Sequence, residues 1–138
     1  MQTPAEVQRV RGQLLVWWII WGSLLAGLGL IYVVIGPARG PAVSAENPLT
    51  DLSGLVPLFL SIIIRWLVLP RYTEAPKAFV MFVLGLALAE SCGLLGIFFG
   101  GPYRDDLFVL GLLGIGQFVP FYARRLYEPR ATGFIPNN

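Results

Sequence analysis

Glu90 is the residue in this sequence with the most chemistry open to it. It sits inside an apolar run from Phe79 to Gly100 that holds no other charge. A charge near the middle of a hydrocarbon layer costs at least about 2.5–3.5 kcal/mol, so an acid kept there needs a use. Two uses fit. A carboxyl that takes up and releases a proton or another cation can carry charge through the layer. A carboxyl that stays protonated can instead hydrogen-bond a neighbouring helix and hold it. Arg65 is the second charge inside an apolar run, five residues before Pro70 and so about 7.5 Å from the end of its helix. Its side chain can snorkel to the interface beside Trp66. It could also reach across to Glu90 as an ion-pair partner, which would hold the acid ionised.

The remaining polar residues narrow the chemistry. The 138 residues include no histidine and a single cysteine, Cys92, which excludes a Ser–His–Asp triad, a histidine metal site and an internal disulfide. Scattered carboxylates and one thiol supply no zinc or iron–sulfur ligand set. Ser61, Ser91 and Gln117 are further polar groups within apolar runs; a serine there commonly bonds back to its own backbone. Cys92 is expected to pack as a small apolar residue. Asp105 and Asp106 stand at a helix start, where acids favour the helix dipole. No catalytic constellation, metal site or cofactor is therefore expected. A net charge of +2 leaves no footprint for nucleic acid, despite a pI near 9.0.

The elements that carry these residues follow from composition. Hydrophobic residues make up 56% of the chain and charged residues 13%, with a mean hydropathy of +0.70. A soluble domain of this size carries about a quarter of its residues as charges. The apolar residues here fall into four runs, Leu14 to Ile35, Asp51 to Arg71, Phe79 to Gly100 and Leu107 to Tyr122. Each approaches the roughly 20 residues that cross a bilayer as a helix, and none alternates as a barrel strand would. The expectation is an all-α integral membrane protein, one domain over 1–138, with helices at about 4–35, 48–69, 77–100 and 105–126 forming an up-down bundle of two hairpins. Thr3-Pro4-Ala5-Glu6 reads as a capping box, and Asn47-Pro48 as a second helix start. Gly36-Pro37 and Gly101-Pro102 end the first and third helices, while Pro70 and Pro120 punctuate the second and fourth. The pairing of Gly-Pro with Gly-Pro, and of Val68 to Tyr72 with Val119 to Tyr122, is a faint internal echo.

Basic residues set the expected orientation. Arg9, Arg11, Arg71, Lys77, Arg124, Arg125 and Arg130 fall on one side of the runs, and Arg39 and Arg104 on the other. The positive-inside rule then puts both termini in the cytoplasm, most simply at a bacterial inner membrane. Trp17, Trp18, Trp21, Trp66, Tyr72, Tyr122 and Tyr127 crowd that same side as an aromatic belt. Arg124, Arg125 and Arg130 are placed to meet anionic headgroups. Val43-Ser44-Ala45 could pass for a signal cleavage site, but the run before it exceeds the usual 7–15 residues of a signal core.

Small residues surround Glu90 in order. Gly85, Ala89 and Gly93 recur every four residues, with Gly96 and Gly100 on the same face, a stripe that lets another helix approach closely. Glu90 lies about 100° from that stripe. Gly22 with Ala26, and Gly111 with Gly114, are candidate partners for it. The stretch Arg71-Tyr72-Thr73-Glu74-Ala75, with Leu84-Gly85-Leu86-Ala87-Leu88-Ala89-Glu90 and Gly93-Leu94-Leu95-Gly96, resembles the proteolipid (c) subunits of rotary ATP synthases. That resemblance implies a reversible proton or sodium carrier at Glu90. The helix before it departs from the family, having one glycine, Gly54, where the family repeats Gly-x-Gly. Two expectations for function stand side by side. One is a small non-enzymatic membrane subunit, a homo-oligomer or part of a larger complex. The other is a proton- or cation-coupled translocation component working through Glu90.

Overall fold

The computed structural model describes residues 4–36 and 48–127, and every regular element among them is helical. Helix α1 runs from Pro4 to Ile35 without interruption. Helix α4 (Ala75–Phe99) is equally continuous, beginning at Ala75-Pro76, where the missing proline N–H costs nothing. Three stretches are long and apolar enough to cross a membrane: Val7–Ile35, Ala75–Phe99 and Gly101–Tyr127. The helix starts at Thr3 and Asn47, the first loop from Pro37 onward, the Val43-Ser44-Ala45 segment, Arg39 and the tail from Glu128, including Arg130, lie outside the described residues.

The second apolar run corrects the expectation of one helix over 48–69. It opens with the single turn α2 (Pro48–Asp51), bends through Leu52 to Gly54, and continues as α3 (Leu55–Ile63). Five π-helical residues, Ile64–Val68, and a 3-10 turn, Leu69–Arg71, complete it. Pro70 explains the end. Its ring nitrogen cannot donate to the Trp66 carbonyl, and its bulk opens the preceding turn. The Leu69 N–H bonds the Ile64 carbonyl five residues back. From Leu55 the stretch reaches only about 25 Å, short of a hydrocarbon core of about 30 Å.

The last run is also broken. Helix α5 (Arg104–Gly116) stops three residues short of Val119-Pro120, a 3-10 turn spans Pro120–Ala123, and a final turn, α6 (Arg124–Tyr127), follows. Pro120 again removes a donor, and the Gly116 carbonyl accepts from Val119 instead, at 3.2 Å.

Helix α4 occupies the centre, with α5, α3 and α1 against it. The α4–α5 hairpin is drawn tight by glycine. A Cβ on Gly111 would stand 2.7 Å from the Gly93 nitrogen, and one on Gly96 would stand 2.5 Å from the Leu107 Cβ. The connecting turn needs Gly101, whose φ of +47° is unfavourable for residues with a Cβ. Helix α1 joins through Leu28, seated on Gly93, and through Trp17, which packs on Phe79, Phe82 and Tyr122. Phe82 and Phe118 complete this buried aromatic cluster.

Candidate functional site

Glu90 lies on α4 about 22 Å from its start and about 14 Å from its end. It is half-buried. Leu86, Gly93 and Ile97, its neighbours on one side of the helix, are buried, whereas Ala87 on the other side is exposed. Since Gly93 faces Leu28, Glu90 sits along the outer edge of the α1–α4 seam. Its carboxyl has no hydrogen-bond or ion-pair partner among the described residues.

The small-residue stripe meets other parts of the same chain. Gly85 faces Phe118 and Ile64, Ala89 faces Gly114, Gly93 faces Leu28 and Gly111, and Gly96 and Gly100 face Leu107 and Arg104. Of the two partners anticipated for this stripe, Gly111 and Gly114 meet it. Gly22 does not: no atom lies within 4 Å of a Cβ built there, and Ala26 is exposed. These small residues of α1 point away from the bundle because Leu28 and Trp17 claim the inward face.

Arg65 does not pair with Glu90. Its Nε donates to the Gln117 carbonyl at 2.6 Å, and its guanidinium carbon lies 4.7 Å from the Tyr122 ring centre and 5.3 Å from that of Trp66. The reason is backbone chemistry. With α5 ended ahead of Pro120, the Gln117 carbonyl has no donor four residues on, because the Phe121 N–H bonds Val119. Arg65 fills that need. The Ile115 carbonyl, which accepts from the Phe118 N–H at 3.0 Å, takes a second bond from the Trp21 indole N–H at 2.9 Å. Inside a bilayer such breaks persist only where side chains re-satisfy the backbone. The Gln117 side chain extends the network, accepting from Trp66 at 3.2 Å and approaching Ser61 at 3.5 Å. Ser61 is fully buried and donates across to the Gly85 carbonyl on α4 at 2.9 Å. Ser91 instead bonds its own helix, to Ala87.

A cavity of about 1090 Å³ opens beside this network, between the two proline breaks. Arg65, Tyr72, Gln117, Phe121, Tyr122 and Arg125 line it, among others. The Tyr122 hydroxyl is buried with no hydrogen-bond partner among the described residues. The opposite end of the bundle is closed. Tyr32 donates to Asp105 at 2.9 Å and stacks on Phe108, and Arg104 bonds both Asp105 and the Gly36 carbonyl. Asp106 is exposed and Asp51 is buried beside Gly101. Among the described residues no group of histidine, cysteine and acidic side chains is placed to hold a metal ion.

Sequence reasoning treated Gln117 as one polar residue among several and gave Tyr122 only to the aromatic belt. The signal for both was the Val119-Pro120 break, which frees the carbonyls that Gln117 and its neighbours present. Comparison of the chain with protein-family models, with curated proteins and with solved structures returns no match.

Proposed function

We propose that this chain is a small, non-enzymatic, multi-pass membrane subunit that packs against further copies of itself or a larger membrane complex. In this reading the α2–α3 stretch completes a fourth crossing, so that both termini lie in the cytoplasm at a bacterial inner membrane. The observation that carries it is Glu90, well inside α4 on the outer edge of the α1–α4 seam and without a partner among the described residues. A carboxyl facing lipid there is costly, and a polar group or close contact from another helix would offset that cost. Gly22, Ser23, Ala26 and Gly27 support the reading, since α1 leaves them uncovered and they would admit a second helix at close range. Extraction in mild detergent followed by mass measurement tests it. A discrete homo-oligomer or hetero-complex is expected, weakened by Glu90→Leu. A monomer that stays monomeric in lipid would refute it.

A second reading, ion carriage by Glu90 in the manner of the proteolipids it resembles, draws on the same residue. Arg65 is occupied by Gln117, and no ion pair to Glu90 is formed among the described residues. Carbodiimide labelling from about pH 5 to about pH 9 distinguishes the two. A carrier reacts in its protonated form and loses activity as Glu90→Gln. An inert Glu90, with Glu90→Gln fully active, leaves the assembly role alone.

A further inference from the structure

The cavity between the Pro70 and Pro120 breaks belongs to neither of those readings, and its lining has a definite chemistry. Two of its lining residues, Arg65 and Arg125, are cationic, and none is acidic. Neither the Lys77–Glu74 nor the Arg104–Asp105 ion pair involves a lining residue. Arg65 is held in place: its Nε is fixed by the Gln117 carbonyl and its plane rests near two aromatic rings, yet the rest of its fork makes no hydrogen bond among the described residues. A guanidinium has five N–H donors, so most remain available. The Tyr122 hydroxyl, without a partner among the described residues, is itself buried and opens no surface to the cavity. Restrained arginine donors and a second arginine are complementary to an oxyanion.

Size and setting select among oxyanions. A cavity of about 1090 Å³ is far larger than a single phosphate needs and lies at the upper end of small-molecule sites. Leu69, Val119 and Leu126 form an apolar stretch of the lining beside the exposed ring of Phe121, while Thr73 and Gln117 add polar groups. It lies at the end of the spans, where headgroups would meet such a surface. We propose that this cavity is a site for a phosphate-bearing anion, bound by Arg65 and Arg125 and supplied as the headgroup of an anionic phospholipid whose chains run along Leu69, Val119 and Leu126. Basic pockets between membrane helices recognise lipid phosphate in this way. The inference requires that the chain lie in a bilayer, but not that it assemble through Glu90.

The test uses the full chain in neutral detergent, with lipid adducts counted by native mass spectrometry. Phosphatidylglycerol should be retained over phosphatidylcholine. Arg125→Gln should lower that retention about fivefold, the worth of one arginine facing an anionic headgroup. Tyr122→Phe should leave it unchanged, because the buried hydroxyl presents no surface to the cavity. Arg9→Gln, a charge removed from the exposed start of α1, should leave retention intact. Glu90→Gln should also retain the lipid even where assembly is lost, which separates this site from the assembly reading. Inorganic phosphate forms a further arm. If it stabilises the wild type but not Arg125→Gln, and the lipid does not, the anion comes from water; the reverse identifies the bilayer as its source. Equal retention of the two lipids with no effect of phosphate, or wild-type retention by Arg125→Gln, overturns the proposal.

Discussion

Gly111→Ala should loosen the bundle although it adds a single methyl group. The new Cβ would lie 2.7 Å from the nitrogen and 2.8 Å from the Cα of Gly93, and 3.3 Å from the Ala89 carbonyl oxygen. Carbon contacts settle at about 3.5–4.0 Å, and these neighbours are backbone atoms of a continuous helix. No rotamer can relieve the overlap, so α4 and α5 must separate by about 1 Å. Overpacking of this kind costs about 1–3 kcal/mol. Replacing glycine by alanine within a helix returns up to about 1 kcal/mol, leaving a net loss of about 0.5–2 kcal/mol. The sole thiol is a built-in probe. Cys92 is fully buried, its Sγ 3.6 Å from the Leu107 carbonyl of α5, so a neutral maleimide reaches it only when the helices part. Its labelling rate should rise about two- to thirtyfold, at 1.4 kcal/mol for each factor of ten. Gly114→Ala should fall between, since its closest clash is the mobile Leu58 Cδ1. Gly22→Ala meets nothing within 4 Å and should label no faster than wild type. Equal rates for Gly111→Ala and Gly22→Ala would refute the close approach of α4 and α5.

Two further outcomes follow from the breaks. Arg65→Gln shortens the side chain and removes the charged donor to the Gln117 carbonyl, a part-buried bond worth about 1–2 kcal/mol. The melting temperature should fall by about 3–8 °C, and an unchanged value would mean that water caps this carbonyl equally well. The proposed fourth crossing is tested by Thr50→Cys and Thr73→Cys, each in a Cys92→Ser background and both exposed. In sealed right-side-out vesicles an impermeant maleimide should label position 50 and spare 73; labelling of both would show that the α2–α3 stretch between them does not cross.

What could be read from the sequence was whatever depends on runs and spacing. Val7–Ile35 and Ala75–Phe99 stand out because no proline interrupts either beyond the first turn, and each is almost free of charge. The four-residue recurrence of Gly85, Ala89 and Gly93 marks a face built for close approach. Other features depend on who meets whom. Ile64 to Val68 reads as ordinary helix, and only the bulk and missing donor of Pro70 turn it into a π segment. The partner of Arg65 is a backbone carbonyl, invisible to any search for opposite charges, and it exists because Pro120 ended a helix far along the chain. Gly22-x-x-x-Ala26 has the same spacing as the stripe on α4 yet meets nothing, since the bulkier Trp17 and Leu28 fixed which way α1 turned.

The separation of Glu90 from Arg65 has two independent causes, and together they bear on what the acid can do. The first is angular. Ser61 and Ile64 bring the second helix to Gly85 on α4, and the five residues from Gly85 to Glu90 turn the helix by about 140°. Arg65 therefore approaches α4 from the wrong flank, whatever its length. The second is competition: even a flexible arginine is held by the Gln117 carbonyl and the Tyr122 face. Removing the proline break would undo the second cause and leave the first intact. A charge that answers Glu90 must then come from beyond this helix packing, as a proton, a cation or a neighbouring chain, and each of the two functional readings is a choice among those three.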